Sequence, residues 1–441
     1  MSAEPGEDRE RIVAIARAAR RAGHVLGRVS GPERRAVLLA MADALERPGA
    51  REAILRANAA DLADAKLAVD AGELTAAAAD RLPLDERKLG ALVEGLRHLA
   101  GQPDPLGRVS VDRDLDDELN LRRVACPLGV IAVVFEARPD AVPQIVGLAM
   151  RSGNAVVLKG GKEAVRSNRA LCDVLRTALV EQGFDPDAIA LLEHRTDVDT
   201  LITLERDIDL VVARGSAAFV HHVQRHSRVP VLAHAEGVCH LVIDAAANPV
   251  MAARIAVDAK CSYPAACNAI ETLLWLRGAQ DVLDGVVTEL RRAGVTLRAC
   301  ERTRALHPEL VPARPQDFGH EFGALELAIR GVDDLAGALE HIERHGSRHT
   351  ECIVTDDEDV AAEFLANVDA ACVFHNASTR FADGYRFGLG AELGISTSKL
   401  GARGPVGAEG LVTYRWLLRG TGQVASDYAP GKRRFRHRNR T

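Results

Sequence analysis

No apolar stretch in these 441 residues approaches the roughly 20 residues that span a bilayer. Residues 1–23 carry mixed charges and no uninterrupted apolar segment. They read as an amphipathic helix rather than a secretory signal, so the chain is expected in the cytoplasm, with no membrane partner. An excess of positive charge is lacking too: 56 Lys and Arg face 62 Asp and Glu, for a net charge of −6. That balance excludes a general nucleic-acid binder. Any anionic ligand must then be met by local clusters of Arg, Lys and backbone N–H groups. CxxC pairs are absent. The eight cysteines are scattered over positions 126 to 372, which in a large cytosolic chain is neither a disulfide framework nor a zinc site, and no metal is expected. Most of these thiols read as small buried hydrophobes. The dinucleotide fingerprint G-x-G-x-x-G is also missing.

What is present is globular: 47% apolar and 27% charged residues. The length exceeds one ordinary core and predicts two or three lobes. The first hundred or so residues read as helices. Ser30-Gly31-Pro32-Glu33 is a helix start, Pro48-Gly49 a break, and 84–100 a helix ending at Gly101. From about Leu121 short apolar runs at 130–135, 155–158, 208–213 and 229–232 alternate with helical patterns at 162–181 and 217–227. This is the grammar of a doubly wound α/β domain with a parallel sheet. A second such series starts near 240. Its strands are predicted at 271–276, 295–298, 326–329, 351–354 and 371–374, with helices at 281–294, 333–346 and 357–368. The basic end, KRRFRHRNRT, reads as a solvated, frayed tail.

Four stretches can carry chemistry. LKGGKEAVRSN joins a strand to a helix. Gly160 and Gly161 let a ligand approach the backbone, and Lys159 and Lys162 bracket them, which suits a phosphate-bearing adenosine. ARGSAAF offers Gly215 and Ser216 at another strand-to-helix turn, where a pyrophosphate could sit. In AKCSYPAACNAIETLLW, Cys267 follows a Pro-Ala-Ala turn among small neighbours, with Asn268 adding an amide donor; Cys261 competes for the same role. A nucleophilic thiol must be reachable and ionisable. The segment from Phe374 to Gly407 is dense in glycine and hydroxyl residues and holds Arg380, Arg386 and Arg403, whose planar forks suit carboxylate and phosphate.

Together PLGVIAVVFEARPD, RSGNAVVLKGGKEAVRSN, DLVVARGS, PAACNAIETLL, GSRHTECIVTDD, NASTRFADGYRFGLGAELGIST and ARGPVGAEGL fall in one family's order. The chain resembles the γ-glutamyl phosphate reductase (glutamate-5-semialdehyde dehydrogenase) family of the aldehyde dehydrogenase superfamily. The wording around Cys267 and Lys159 is most similar to the reductase half of the bifunctional pyrroline-5-carboxylate synthase. The kinase half of that enzyme has no counterpart here. The resemblance implies an aldehyde dehydrogenase-like fold: two doubly wound α/β domains plus a small β oligomerisation flap. Residues 1–237 would be the cofactor-binding domain, with a flap strand at about 112–125. Residues 238–406 would be the catalytic domain, and 407–441 a C-terminal oligomerisation segment and tail.

By the same resemblance Cys267 stands at the nucleophile and Lys159 at the lysine on the adenosine ribose. Lys162 replaces a glutamate that holds the ribose hydroxyls in NAD-preferring relatives, which implies NADPH as cofactor. Gly215 and Ser216 match the pyrophosphate turn, and Glu321 a glutamate on the nicotinamide ribose. Two departures from hydrolytic members are visible. Ala137 replaces an oxyanion-holding asparagine. In His234-Ala235-Glu236-Gly237, Glu236 is out of register with their water-activating glutamate. Both imply reduction of an acyl phosphate, L-glutamyl 5-phosphate, in proline biosynthesis, through a Cys267 thioester that water does not cleave. Arg138 and Arg403 are the candidates for the substrate phosphate. The loops with Ser378, Arg380 and Phe381, or with Ser396, are the candidates for its α-carboxylate. A homo-oligomer, dimer or tetramer, and transient contact with a separate glutamate 5-kinase are expected. The alternatives are a hydrolytic NAD(P)-dependent aldehyde dehydrogenase and a non-catalytic paralogue that binds the kinase.

Overall fold

A computed structural model of the chain describes residues 5–233 and 236–440. The N-terminal helices are Pro5–Leu26, Gly31–Glu46, Pro48–Asp70, Ala76–Ala79 and Glu86–Gly101. Their ends follow local chemistry. Ser30 accepts the Glu33 N–H at 3.4 Å, and the Glu33 carboxylate accepts the Ser30 N–H at 2.9 Å. This reciprocal cap contributes about 1 kcal/mol. Asn58, buried in Pro48–Asp70, donates to the Leu82 carbonyl at 3.0 Å and accepts the Leu84 N–H at 2.8 Å. It thereby fixes a segment whose Thr75 and Arg81 reach the cleft described below.

These helices cover a five-stranded parallel sheet in the order Ile189–Leu192, Ala155–Lys159, Val130–Phe135, Leu210–Arg214, Val231–Leu232. Val130–Phe135 and Ala155–Lys159 are buried along their whole length, which is why they appear in the sequence as continuous apolar runs. The second sheet has seven parallel strands: Val311–Pro312, Thr296–Ala299, Glu326–Val332, Ile270–Leu276, Cys239–Ile243, Thr350–Val354, Cys372–His375. Cys239–Ile243 was not expected as a strand, because His240 interrupts its apolar run. In the fold His240 is fully buried and meets Glu351 of the neighbouring strand at 2.9 Å. The helix predicted over 162–181 opens as a 3₁₀ turn, Lys162–Ala164, before Val165–Glu181.

Two expectations need correction. The flap strand at 112–125 is a hairpin, Val109–Asp116 and Leu119–Pro127, that turns at Asp117-Glu118 with Glu118 at φ 58. Val412–Arg419 pairs antiparallel to its second strand. The basic tail is not frayed: Arg438–Asn439 pairs with the first hairpin strand. Its arginines meet the acids of that strand, Arg436 with Asp116 at 3.1 Å and Arg440 with Asp114 at 2.7 Å. Phe435 stacks on Tyr428 at 4.2 Å between ring centroids. Acidic strand residues and basic tail residues are complementary, a pairing invisible when the tail is read alone.

Candidate active site

The first sheet reverses its strand order between Val130–Phe135 and Leu210–Arg214, and a crevice forms outside the carboxyl ends of strands at such a point. The second sheet faces it with the opposite ends of Cys239–Ile243 and Ile270–Leu276. The cleft between them has a volume of about 630 Å³.

Cys267 lies on its wall, half-buried, in the turn between helix Pro249–Cys261 and strand Ile270–Leu276. Ala266 donates to the Tyr263 carbonyl at 3.1 Å and Ala269 to the Ala266 carbonyl at 2.9 Å, so the turn is closed on both sides of the thiol. Behind it, the Cys239 thiol donates to the Cys267 carbonyl at 3.3 Å. Gly237 packs against the same backbone: a Cβ at 237 would lie 2.0 Å from the Cys267 oxygen. The Gly237 N–H donates to the Glu321 carboxylate at 3.0 Å, which brings that acid to the cleft. A fully buried pair, Lys260 to Glu271 at 2.6 Å, spans the turn, and Glu271 also accepts the Gly323 N–H at 3.4 Å. Burial pushes Glu271 up to about 7, against the pull of Lys260. This pair fastens the cysteine turn and the Glu321 segment to one strand.

Among the described residues Cys267 is the one cysteine on the cleft wall. Cys261 is half-buried and packs against the core of the second sheet, and burial pushes its thiol up. Burial also pushes Cys172 and Cys352 up to about 12 and Cys372 to about 11, so these stay protonated near neutrality.

The turn after Val130–Phe135 carries Ala137 at φ 48, a conformation that disfavours residues with a Cβ and recurs at functional sites. The Ala137 N–H donates to Glu163 at 2.5 Å, and a Cβ on Gly161 would collide with that carboxylate. Arg138 follows and lines the cleft. At the parallel strand end, the Ser216 N–H donates to Glu136 at 3.2 Å, and the Ser216 hydroxyl caps helix Ala217–His226. A Cβ on Gly215 would lie 2.7 Å from the same Glu136 carboxylate.

Lys159 and Lys162 with Gly160 and Gly161 form the neighbouring strand-to-helix junction and do not line the cleft itself. Lys159 is 6% exposed, and its ammonium donates to the Gly160 carbonyl. Burial lowers its proton affinity, with Glu163 and Asp197 acting against that. A buried cation with no ion-pair partner among the described residues, beside a glycine where a Cβ would meet Asn168 at 2.1 Å, fits a hydroxyl- and phosphate-bearing cofactor. Lys162 is exposed, 4.0 Å from Glu73.

Of the candidate substrate residues, Arg138 and Arg380 line the cleft and four others do not. Arg403 is held by Asp369 at 2.8 Å, because the long loop folds back on the second sheet. Ser378 is buried and caps the 3₁₀ turn Thr379–Phe381, Phe381 is 53% exposed off the cleft, and Ser396 is buried in the two-residue strand Ile395–Ser396. Asn268 lines the cleft, but its side-chain amide donates to the Ala382 carbonyl at 2.8 Å, tying two loops together. Glu236 lies exposed at the cleft wall, whereas His234 and Ala235 of that stretch lie outside the described residues. Arg214 was missed. It also lines the cleft, half-buried, and burial together with nearby Arg138 lowers its proton affinity. Its signal was its place: the last residue of a strand at the reversal point, immediately before Gly215. No group of three or more potential metal ligands occurs among the described residues. No helix among them is long and apolar enough to cross a membrane.

The model of the aldehyde dehydrogenase family matches residues 3–298. With two parallel sheets facing one cysteine across a cleft, this sets the class of fold and site. Among known proteins, the chain is 48% identical over 442 residues to gamma-glutamyl phosphate reductase of Prochlorococcus marinus (strain MIT 9303), covering 100% of this chain and 99% of that one. It is 51% identical over 408 residues to the enzyme of the same name from Synechococcus sp. (strain JA-3-3Ab), covering 92% and 89%. The crystal structure of gamma-glutamyl phosphate reductase from Thermotoga maritima superposes with a TM-score of 0.89 at 35% identity, covering 94% of this chain and 99% of that one. The chain belongs to the gamma-glutamyl phosphate reductase family.

Proposed function

We propose that this chain reduces L-glutamyl 5-phosphate to L-glutamate 5-semialdehyde and phosphate with NADPH, in the cytoplasm, as the second step of proline synthesis from glutamate. The observation that carries the reading is the Cys267 turn: a reachable thiol, braced from behind, in a cleft that arginines also line.

The Cys267 thiolate attacks the γ-carbonyl carbon. A C–S bond forms and the C–O bond to phosphate breaks, with no proton needed by the leaving group. The Cys267 N–H is the candidate donor to the oxyanion, a role worth about 3–4 kcal/mol per donor in related chemistry. When bound, the nicotinamide supplies the hydride that this thioester accepts. Collapse of the C–S bond then frees the aldehyde and returns the thiolate. Lys159 would hold the adenosine ribose, Gly215 and Ser216 the pyrophosphate, and Glu321 the nicotinamide ribose. Lys162, loosely paired and exposed, is free to meet a 2′-phosphate, where a carboxylate would repel it. This favours NADPH over NADH.

Ala137 supplies no side-chain amide for a hydrolytic oxyanion site, so the reading favours reductive release over water. The strand Val412–Arg419 exposes Tyr414, Trp416 and Leu418, which supports assembly of copies through that edge; contact with a separate glutamate 5-kinase would be transient. The test runs the reaction backwards, following NADP reduction with glutamate semialdehyde. Steady turnover is expected only with inorganic phosphate. Turnover to free glutamate without phosphate would mean a hydrolytic dehydrogenase instead.

A further inference from the structure

The cleft wall carries both charges, yet two of its arginines sit together without a carboxylate partner. Arg138 leaves the end of one strand and Arg214 the end of the next, where Phe135 and Arg214 are paired in register. Neither guanidinium has a hydrogen bond or ion pair to a carboxylate among the described residues. Elsewhere the same residue type is readily paired, as in Arg34 with Asp104 at 2.6 Å or Arg403 with Asp369 at 2.8 Å. Of the carboxylates on the wall, Glu136 accepts the Ser216 N–H at 3.2 Å, Glu321 the Gly237 N–H at 3.0 Å, Asp383 the Tyr385 N–H at 3.0 Å and Glu392 the Gly384 N–H at 2.7 Å; Glu392 acts on Arg214 through space, without a hydrogen bond to it. Gly394, at φ 147, packs against the Arg214 guanidinium, where a Cβ would be in ordinary contact with Nε at 3.4 Å.

Two half-buried guanidiniums side by side repel each other; Glu392 and Asp140 offset this only through space, and an anion between the forks would offset it directly. Their planar forks suit a tetrahedral dianion more than a single carboxylate. Cys267 shares the cleft. We propose that Arg138 and Arg214 form a dianion subsite beside Cys267, which holds the phosphate of the acyl phosphate while its C–O bond breaks. This rests on the reductase reading above and assigns Arg214 a place in it. As the C–S bond forms, the phosphate departs with the C–O electron pair, and the two guanidiniums receive the added negative charge.

Thiol chemistry tests the subsite without turnover. Cys267 alkylation is timed with anionic iodoacetate and with neutral iodoacetamide, with and without inorganic phosphate, in the full-length wild type and in Arg214→Gln, Arg214→Lys and Arg138→Gln. Wild type is expected to prefer iodoacetate and to be protected by phosphate. Either Gln variant should lose about tenfold or more in phosphate affinity, the range for a lost charge-assisted hydrogen bond, and should lose the iodoacetate preference. Arg214→Lys should retain part of both, which separates lost charge from a damaged fold. An unchanged iodoacetate preference in Arg214→Gln would overturn the proposal. So would weakened protection by NADP or glutamate with phosphate protection intact, because Arg214 would then serve the pyrophosphate or the α-carboxylate. Phosphate-independent turnover by the wild type is a different failure: it would remove the reductase reading, whereas alkylation reports on the anion site directly.

Discussion

Adding one methyl group at Gly237 should disable the site from behind. A Cβ there would lie 2.0 Å from the Cys267 carbonyl oxygen and 2.7 Å from its Cα, all backbone atoms that no rotamer change can move aside. Ordinary contact begins near 3.4 Å, so the two segments must part by about 1.4 Å. Displacements of about 1 Å in a reacting group cost on the order of 100-fold in rate, or about 2.7 kcal/mol of barrier. The same methyl overpacks the interior by about 1–3 kcal/mol. It also strains the Gly237 N–H bond to Glu321. Gly237→Ala is therefore expected to fold, to melt lower, and to lose about two orders of magnitude in kcat for phosphate-dependent NADP reduction. The melting curve separates this from global unfolding. A folded Gly237→Ala protein with wild-type kcat would refute the packing argument, because the nucleophile would then be indifferent to the backbone behind it.

Two further predictions follow from single side chains. Lys162→Glu should shift the ratio of kcat/KM for NADP and NAD toward NAD, since a carboxylate replaces the exposed ammonium proposed to meet the 2′-phosphate; an unchanged ratio would move that role elsewhere. His341 is 5% exposed, and burial with the nearby His240 and His345 holds it down at about 2, far below the ordinary 6.5. Below pH 6.5 the unfolded chain takes up a proton there that the folded chain refuses, so stability falls with pH. At pH 5 the loss is about 2 kcal/mol relative to pH 8. Urea unfolding of His341→Leu at both pH values should show a loss smaller by about that amount, and equal pH dependence in the two proteins would contradict the sign and the size.

The parts of the fold that were legible in the sequence are those whose causes are local. The Ser30 cap is made within four residues, and Val130–Phe135 is one apolar run because both its faces are covered. Cys267 stood out because its Pro-Ala-Ala turn joins a helix to a strand over a few residues. What was not legible depends on partners far along the chain. His240 hid a core strand because Glu351, which satisfies it, lies 111 residues later. The tail looked frayed because the hairpin acids it meets lie more than 300 residues earlier. Arg403 drew notice in its glycine-rich loop and Arg214 did not, yet Asp369, 34 residues before Arg403, holds the first while the second is left facing the cleft.

The central claim is that an acyl group rests on Cys267 until hydride or phosphate removes it. Rapid mixing of enzyme, NADP and glutamate semialdehyde without phosphate tests this most directly. The account predicts a burst of about one NADPH per site that then stops, a restart on adding phosphate, and no burst in Cys267→Ala. Continuous NADPH formation without phosphate, or an equal burst from Cys267→Ala, would contradict it.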